Sequence, residues 1–279
     1  MADISLTAGI RSNLLSLQKT SSLLSRTQER LGTGKKVNSA IDNPTNFFTA
    51  QSLTNRSDDL SARLDGISKG VNTVKAADAG IKSITTLLKQ AKGIAQDARA
   101  LSTAASADAD RSALSVRFND IMTQITELGK DAGYDGVNLL RSDTLTVEFA
   151  EKAGSSSLDL SGFDADVGGT VITVGSQTAA NWKASNGAID SAIGLIEDSE
   201  SNLRTQSKTL SANLGVLTAR QDFTKNLVNV LTSGAADLTN ADLNEESANL
   251  LALNTQQSLA VNSLSLASQA SQSVLRLLQ

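Results

Sequence analysis

Four ladders of apolar residues, each stepping by seven, constrain this chain more than any other feature. Ile10, Leu17, Leu24 and Leu31 make the first. Leu60, Ile67, Val74, Ile81, Leu88 and Ala95 make the second. Ile189, Ile196, Leu203, Leu210 and Leu217 make the third. Leu253, Ala260, Ala267 and Val274 make the fourth, with Leu250, Leu264 and Leu278 on a companion position. A seven-residue step at 3.5 residues per turn keeps one stripe of a helix facing a partner, so these are coiled-coil seams. Their order predicts a chain that runs out and back. The two central ladders pair with each other, and the first and last helices pair near the chain ends. The expected fold is mainly α, a long antiparallel coiled-coil rod formed by both chain halves.

Composition points the same way. Aromatics are only 3% of the 279 residues, with one Trp (Trp182), one Tyr (Tyr134) and one Pro (Pro44). Compact globules anchor their cores on aromatics. Leu, Ile, Val and Ala among Ser, Thr, Asn and Gln suit long thin helical packing better. The chain has no Cys and no His. Disulfides, Cys/His metal sites and His-based acid–base catalysis are therefore excluded. A net charge of -4 argues against nucleic acid as a main partner. No run of about 18 apolar residues is present, so no membrane insertion is expected. The N-terminus lacks the charged and apolar regions of a secretory signal.

The helices are punctuated. Asn43-Pro44 reads as an N-cap followed by Pro at the first helical position. Asp108 opens a shorter helix with Leu114, Phe118, Ile121, Ile125 and Leu128 inward, ended by Gly129, Gly133 and Gly136. Then the pattern changes. Residues 144–149 and 157–160 alternate, and 170–174 are β-branched, which predicts a small β-hairpin-type insert of a few short strands. Ser233-Gly234 reads as a break before the final helix.

Motifs that imitate chemistry fail on spacing. Gly32-Thr-Gly-Lys-Lys36 looks like a phosphate loop, but Glu29 stands where the first Gly belongs, and no Ser or Thr follows the Lys. A helix-ending turn explains it. Asp131–Gly136 imitates a calcium loop, but it lacks an acid at the third position, and Ser142 replaces the bidentate Glu. A Gly-rich turn explains that one. Asp58-Asp59 and Glu245-Glu246 read as solvated helix faces or helix-start charges. Trp182 reads as a packing anchor. No catalytic constellation, metal site or cofactor is expected.

Residues 247–275 carry no charge. Solvated helix faces normally carry Lys and Glu. A neutral face of amides and hydroxyls, such as Gln256, Ser263 and Gln272, fits close contact with copies of itself, where repeated like charges would be costly.

Glu29-Arg-Leu-Gly-Thr-Gly-Lys-Lys-Val-Asn-Ser-Ala-Ile-Asp42 resembles the bacterial flagellin motif of the form ERLSSGLRINSAKDD. Its matching positions include Glu29, Arg30, Leu31, Asn38, Ser39, Ala40 and Asp42. Gly133–Leu140 resembles the FNGVNLL turn, and Gln269–Gln279 resembles a C-terminus of the form ANQ-x-x-x-x-VLSLL. The likeness covers roughly 1–140 and 183–279.

The resemblance implies a short flagellin, a structural subunit that self-assembles into the flagellar filament for swimming. It implies an inner, channel-lining core from 1–43 and 235–279. The outer helical core would come from 44–140 and 183–234, and the surface insert from 141–182. The self-assembly seams would be Ile10, Leu17, Leu24 and Leu31 with Leu253, Ala260, Leu264, Ala267, Val274 and Leu278. Implied partners are many copies of the chain itself, an export chaperone, a filament cap and junction proteins. The expected location is the extracellular filament, reached by type III export without a cleaved signal peptide.

The innate-receptor pattern LQRVRELTVQ is altered in this chain: Gln90 replaces the first Arg, Lys92 the second, and Gly93 the Glu. Weak receptor activation is expected. The rival readings are a hook–filament junction protein and, in another class, a signalling or type III-exported coiled coil.

Overall fold

The computed structural model describes residues 8–151 and 156–277. In chain order these form α1 (Ala8–Thr33), α2 (Pro44–Ala100), a 3-10 turn (Ala105–Ala107), α3 (Asp108–Asp131), β1 (Thr144–Glu148), β2 (Ser157–Ser161), α4 (Ala179–Ala184), α5 (Asn186–Thr239) and α6 (Leu243–Leu277). They divide into two units: Met1–Asn55 with Val230–Gln279, and Arg56–Asn229.

In the second unit, the residues that stepped by seven in sequence line a dry seam. Ile67, Val74, Ile81, Leu88 and Ala95 on α2 are buried, as are Ile189, Ile196, Leu203, Leu210 and Leu217 on α5. A companion row on α2 (Val71, Ala77, Ile84, Ala91, Ala98) fills the alternate positions. Spacings of three and four keep both rows on one face of the helix. Side-chain pairs fix the helices antiparallel. Gln221 donates to Ser68, Lys92 pairs with Glu197 and Arg99 with Asp190. The step of 31 from Ser68 to Arg99 is thus matched by a step of 31 back from Gln221 to Asp190. The two chain halves pair as the ladders require.

α2 starts where the sequence placed it, with the Asn46 N–H donating to Asn43 Oδ1 at 3.0 Å. α3 lays Phe118, Met122 and Ile125 into the same core, against Trp182. Asn138 closes the far end of α3. Its side-chain amide donates to the Gly129 and Lys130 carbonyls at 2.8 and 3.0 Å, satisfying groups a helix end leaves open. The calcium-like stretch is a tight turn, with Asp135 at φ 51° and Gly136 at φ 80°. Asp135 in it pairs with Lys69 at 2.8 Å.

β1 and β2 form an antiparallel hairpin, Thr144 opposite Ser161 and Glu148 opposite Ser157. Val147 lies on α2 where Gly70 leaves room. A Cβ there would sit 2.7 Å from Val147 Cγ2. Gly80 admits Leu140 in the same way, at 2.6 Å from Cδ1.

Two expectations are corrected. Residues 170–174 add no strand to the sheet, which pairs β1 with β2, and Ile172 makes an isolated bridge with Val167. Val171, Ile172 and Val174 are buried, and the Thr173 N–H donates to Ser199 on α5 at 3.0 Å. The β-branched run satisfies its backbone against a helix. The second correction is the break at Ser233-Gly234, which does not occur. α5 runs on to Thr239, held by buried Leu231 and Ala235, and Gly234 lies against Leu53 of α2. Packing outweighs the roughly 1 kcal/mol a helical Gly costs.

Arg111 was not singled out from sequence. It is fully buried. Its guanidinium donates to the Trp182 carbonyl at 2.6 Å, the Leu101 carbonyl at 3.2 Å and Asn186 Oδ1 at 2.9 Å. One side chain thereby ties the end of α2 to the start of α5.

Candidate self-assembly surface

The first unit holds the two terminal helices. α1 turns toward α6 a face on which Ile10, Leu17, Leu24 and Leu31 are half-buried, with buried Thr20 and Thr27 between them. α6 answers with Leu250, Leu253, Ala260, Leu264 and Ala267, also half-buried. Val274 lies in the last turns of α6, and Leu278 lies outside the described residues. Every second α1 position facing α6 is polar or small. Such a seam sets register at a cost in stability.

The Glu29–Asp42 motif builds the joint of this unit. α1 ends at Thr33, and Gly34 takes φ 69°, so the phosphate-loop look-alike is a helix-ending turn. The Lys36 and Val37 amides donate to the Thr239 carbonyl at 2.7 and 3.2 Å, and the Ala241 amide donates to Gly34 at 2.9 Å. The turn after α1 is thereby laced to the turn before α6. Asp42 Oδ2 accepts from the Asn38 and Ser39 amides, both at 3.0 Å, and from Ser39 Oγ at 3.1 Å. The Ser39 amide, then the Asn38 amide, holds the Asp42 carboxyl below its ordinary value. Asn38 Nδ2 reaches Thr33 Oγ1 at 3.1 Å. Arg30 pairs with Glu246 in the first turn of α6 at 2.7 Å. Leu31 and Ala40 are half-buried, and Glu29 is exposed. These motif residues clamp two turns together.

A second apolar stripe escaped the sequence reading. Leu251, Leu259 and Leu266 on α6 are 71%, 62% and 67% exposed. Their spacings of eight and seven keep them within about 80° of each other on a 3.6-residue helix, roughly opposite the seam. α1 adds exposed Leu14, Leu15 and Leu23. The α6 back face is therefore not only amides and hydroxyls. Gln256, Ser263 and Gln272 are exposed on the same helix as these leucines. This stripe lies off the seven-step ladder that marks the seam. Spacings of eight and seven were the available signal.

Gln90, Lys92 and Gly93 lie on α2, in the other unit. Gln90 is exposed and Gly93 half-buried. Lys92 Nζ is bonded to Glu197 at 2.8 Å, which raises its pKa. Among the described residues, no helix is long and apolar enough to cross a membrane.

Two thin terminal helices, joined by a half-buried seam and carrying exposed leucines on their outer faces, are features of an elongated helical subunit. Comparison with known proteins gives the family. Residues 4–144 match the bacterial flagellin N-terminal helical region, and 187–278 match the C-terminal helical region. The chain belongs to the bacterial flagellin family and is a structural subunit of the flagellar filament, serving motility. It is 32% identical to flagellin FljM of Caulobacter vibrioides over 95% of this chain and 94% of that one. It is 32% identical to flagellin FljK of the same organism over 98% and 97%. The crystal structure of Bacillus cereus flagellin superposes with a TM-score of 0.46 at 13% identity, over 56% of this chain and 86% of that chain.

Proposed function

We propose that the chain completes its fold by polymerising. In the single chain, α1 and α6 are held by a narrow seam. Stacked copies cover the Leu15 and Leu251 faces, and this burial offsets the entropy of ordering both helices. In this reading 1–43 and 235–279 form the inner, channel-lining core. Residues 44–140 and 183–234 form the shell around it, and 141–182 face solvent. The observation that carries the reading is the outer stripe of α6, with Leu251 71% exposed opposite a seam that is itself only half-buried. Limited proteolysis tests it. Residues 1–40 and 240–279 are cut in dilute monomer and protected in filaments; equal protection in the monomer overturns the reading.

The uncharged run 247–275 suits an export chaperone that shields it before assembly, and cap and junction proteins meet the two filament ends. Export keeps the N-terminal segment. Filament protein whose mass retains residues 1–20 supports this, and their loss contradicts it. The role is structural, with no catalysis. The replacements at Gln90 and Gly93, and the engagement of Lys92 by Glu197, leave few charged groups for an innate receptor. Reporter cells should respond weakly, and potency equal to a standard flagellin would refute this.

A further inference from the structure

The sequence holds one Asn-Gly pair, Asn186-Gly187, and the fold sets it beside the buried Arg111. Asn186 is the first residue of α5, and only Ser185 separates it from the end of α4. Asn186 is half-buried and Gly187 is exposed. Arg111 Nη2 donates to Asn186 Oδ1 at 2.9 Å, and the same guanidinium donates to the Trp182 and Leu101 carbonyls.

This combination favours one reaction. The side-chain amide of an Asn is open to attack at Cγ by the backbone nitrogen of the next residue. A side chain on that residue crowds the attack, and glycine has none. The Gly187 N–H lies in the first turn of α5, where the helix supplies no acceptor for it. Ring closure needs Asn186 to leave its helical angles, and a helix end frays more readily than its middle. Negative charge develops on the attacking nitrogen and then on Oδ1. The positive end of the α5 dipole and the Arg111 guanidinium both favour that charge.

We infer that Asn186 is a deamidation site in the folded chain, with Arg111 as the donor that stabilises charge on Oδ1. The Gly187 nitrogen loses its proton and bonds to Asn186 Cγ. The Cγ–Nδ2 bond breaks, and the amide nitrogen leaves as ammonia. Water then opens the five-membered imide and leaves a carboxylate at position 186, on the normal or the β-linked backbone. The product suits its place better than the amide does. The first turn of α5 has no acid of its own. A carboxylate there is favoured by the helix dipole, and the bond from Arg111 becomes charge-assisted. Each copy thereby carries a chemical record of its age.

The full chain is incubated at neutral pH in heavy-oxygen water, either folded or held in urea. Trypsin in ordinary water then cuts after Lys183 and Arg204 and frees residues 184–204. In the folded sample this peptide should show one deamidation with one labelled oxygen, at a rate within about tenfold of the urea sample. A folded chain that converts more slowly than that overturns the inference. Gly187→Ala should retain the fold, because its added carbon meets Ser185 Oγ at an ordinary 3.6 Å, and should lose the conversion. A conversion that survives this change arises elsewhere in the peptide, as at Asn202, and overturns the assignment. Asn186→Asp reproduces the normally linked product and should raise the midpoint of urea unfolding read at Trp182. An unchanged or lowered midpoint overturns the role given to Arg111.

Discussion

The two helix pairs of this molecule use the same seven-residue step to opposite ends. Between α2 and α5 the ladder positions are dry, and a companion row of Val, Ala and Ile fills the gaps. Between α1 and α6 the ladder positions are half-buried, and the gaps hold Thr20 and Thr27. The central pair shares one dry core with α3 and the hairpin. The terminal pair is aligned but underpacked, and it keeps apolar surface in reserve on Leu15, Leu251 and Leu266. A heptad ladder thus states where a partner lies. What stands between the rungs states whether that partner is enough.

Core truncation should show the contrast at its largest. Leu203→Ala opens a cavity in the dry seam and should cost about 2–5 kcal/mol in urea unfolding of the monomer. Leu24→Ala, half-exposed already, should cost less than about 1.5 kcal/mol in the same measurement. Equal costs would erase the distinction.

Arg111→Met comes next. It leaves the Trp182 and Leu101 carbonyls and Asn186 without their donor. A loss of about 3 kcal/mol is expected by calorimetry. Lys should not rescue it, because one ammonium cannot span a planar fork's three acceptors.

Thr20→Val with Thr27→Val would make the terminal seam resemble the central one. Hydrogen exchange in α1 of the monomer should slow by an amount worth about 1 kcal/mol. Leu251→Gln should leave monomer stability within about 0.5 kcal/mol, as for other exposed sites, yet raise the critical concentration for assembly.

The smallest effect is pH-dependent. The Asp42 carboxyl is depressed below its ordinary value of 3.8, first by the Ser39 amide. The turn's contribution is therefore complete above the unfolded value and lost as pH falls through the lower folded one. NMR of the Ser39 amide should show the turn opening below about pH 4, and Asp42→Asn should abolish that transition.

The ladders made α2 and α5 legible because burial repeats along a seam and leaves a periodic trace. The start of α2 was legible from Asn43-Pro44 because a cap is local, and that of α3 from Asp108, an acid in the first helical turn. What escaped was set by distant neighbours. Gly234 is helical because Leu53 and the buried residues beside it hold it there. Residues 170–174 leave the sheet because Ser199 offers their backbone a partner. No motif or spacing marks Arg111, and only the meeting of residues 101, 182 and 186 makes it a core residue. The outer stripe of α6 lies off the seven-step ladder, on the opposite side of the same helix.

Trp182, the single tryptophan, packs 5.2 Å from Phe118 in the central unit, while α1 and α6 contain no aromatic residue at all. Intrinsic fluorescence is therefore an optical reporter of one unit only. A denaturation curve followed at its emission would look complete and reversible while the terminal helices frayed unseen. A dye or fluorinated leucine placed on α6 would supply the missing colour, and the gap between the two signals would measure how independently the ends come apart.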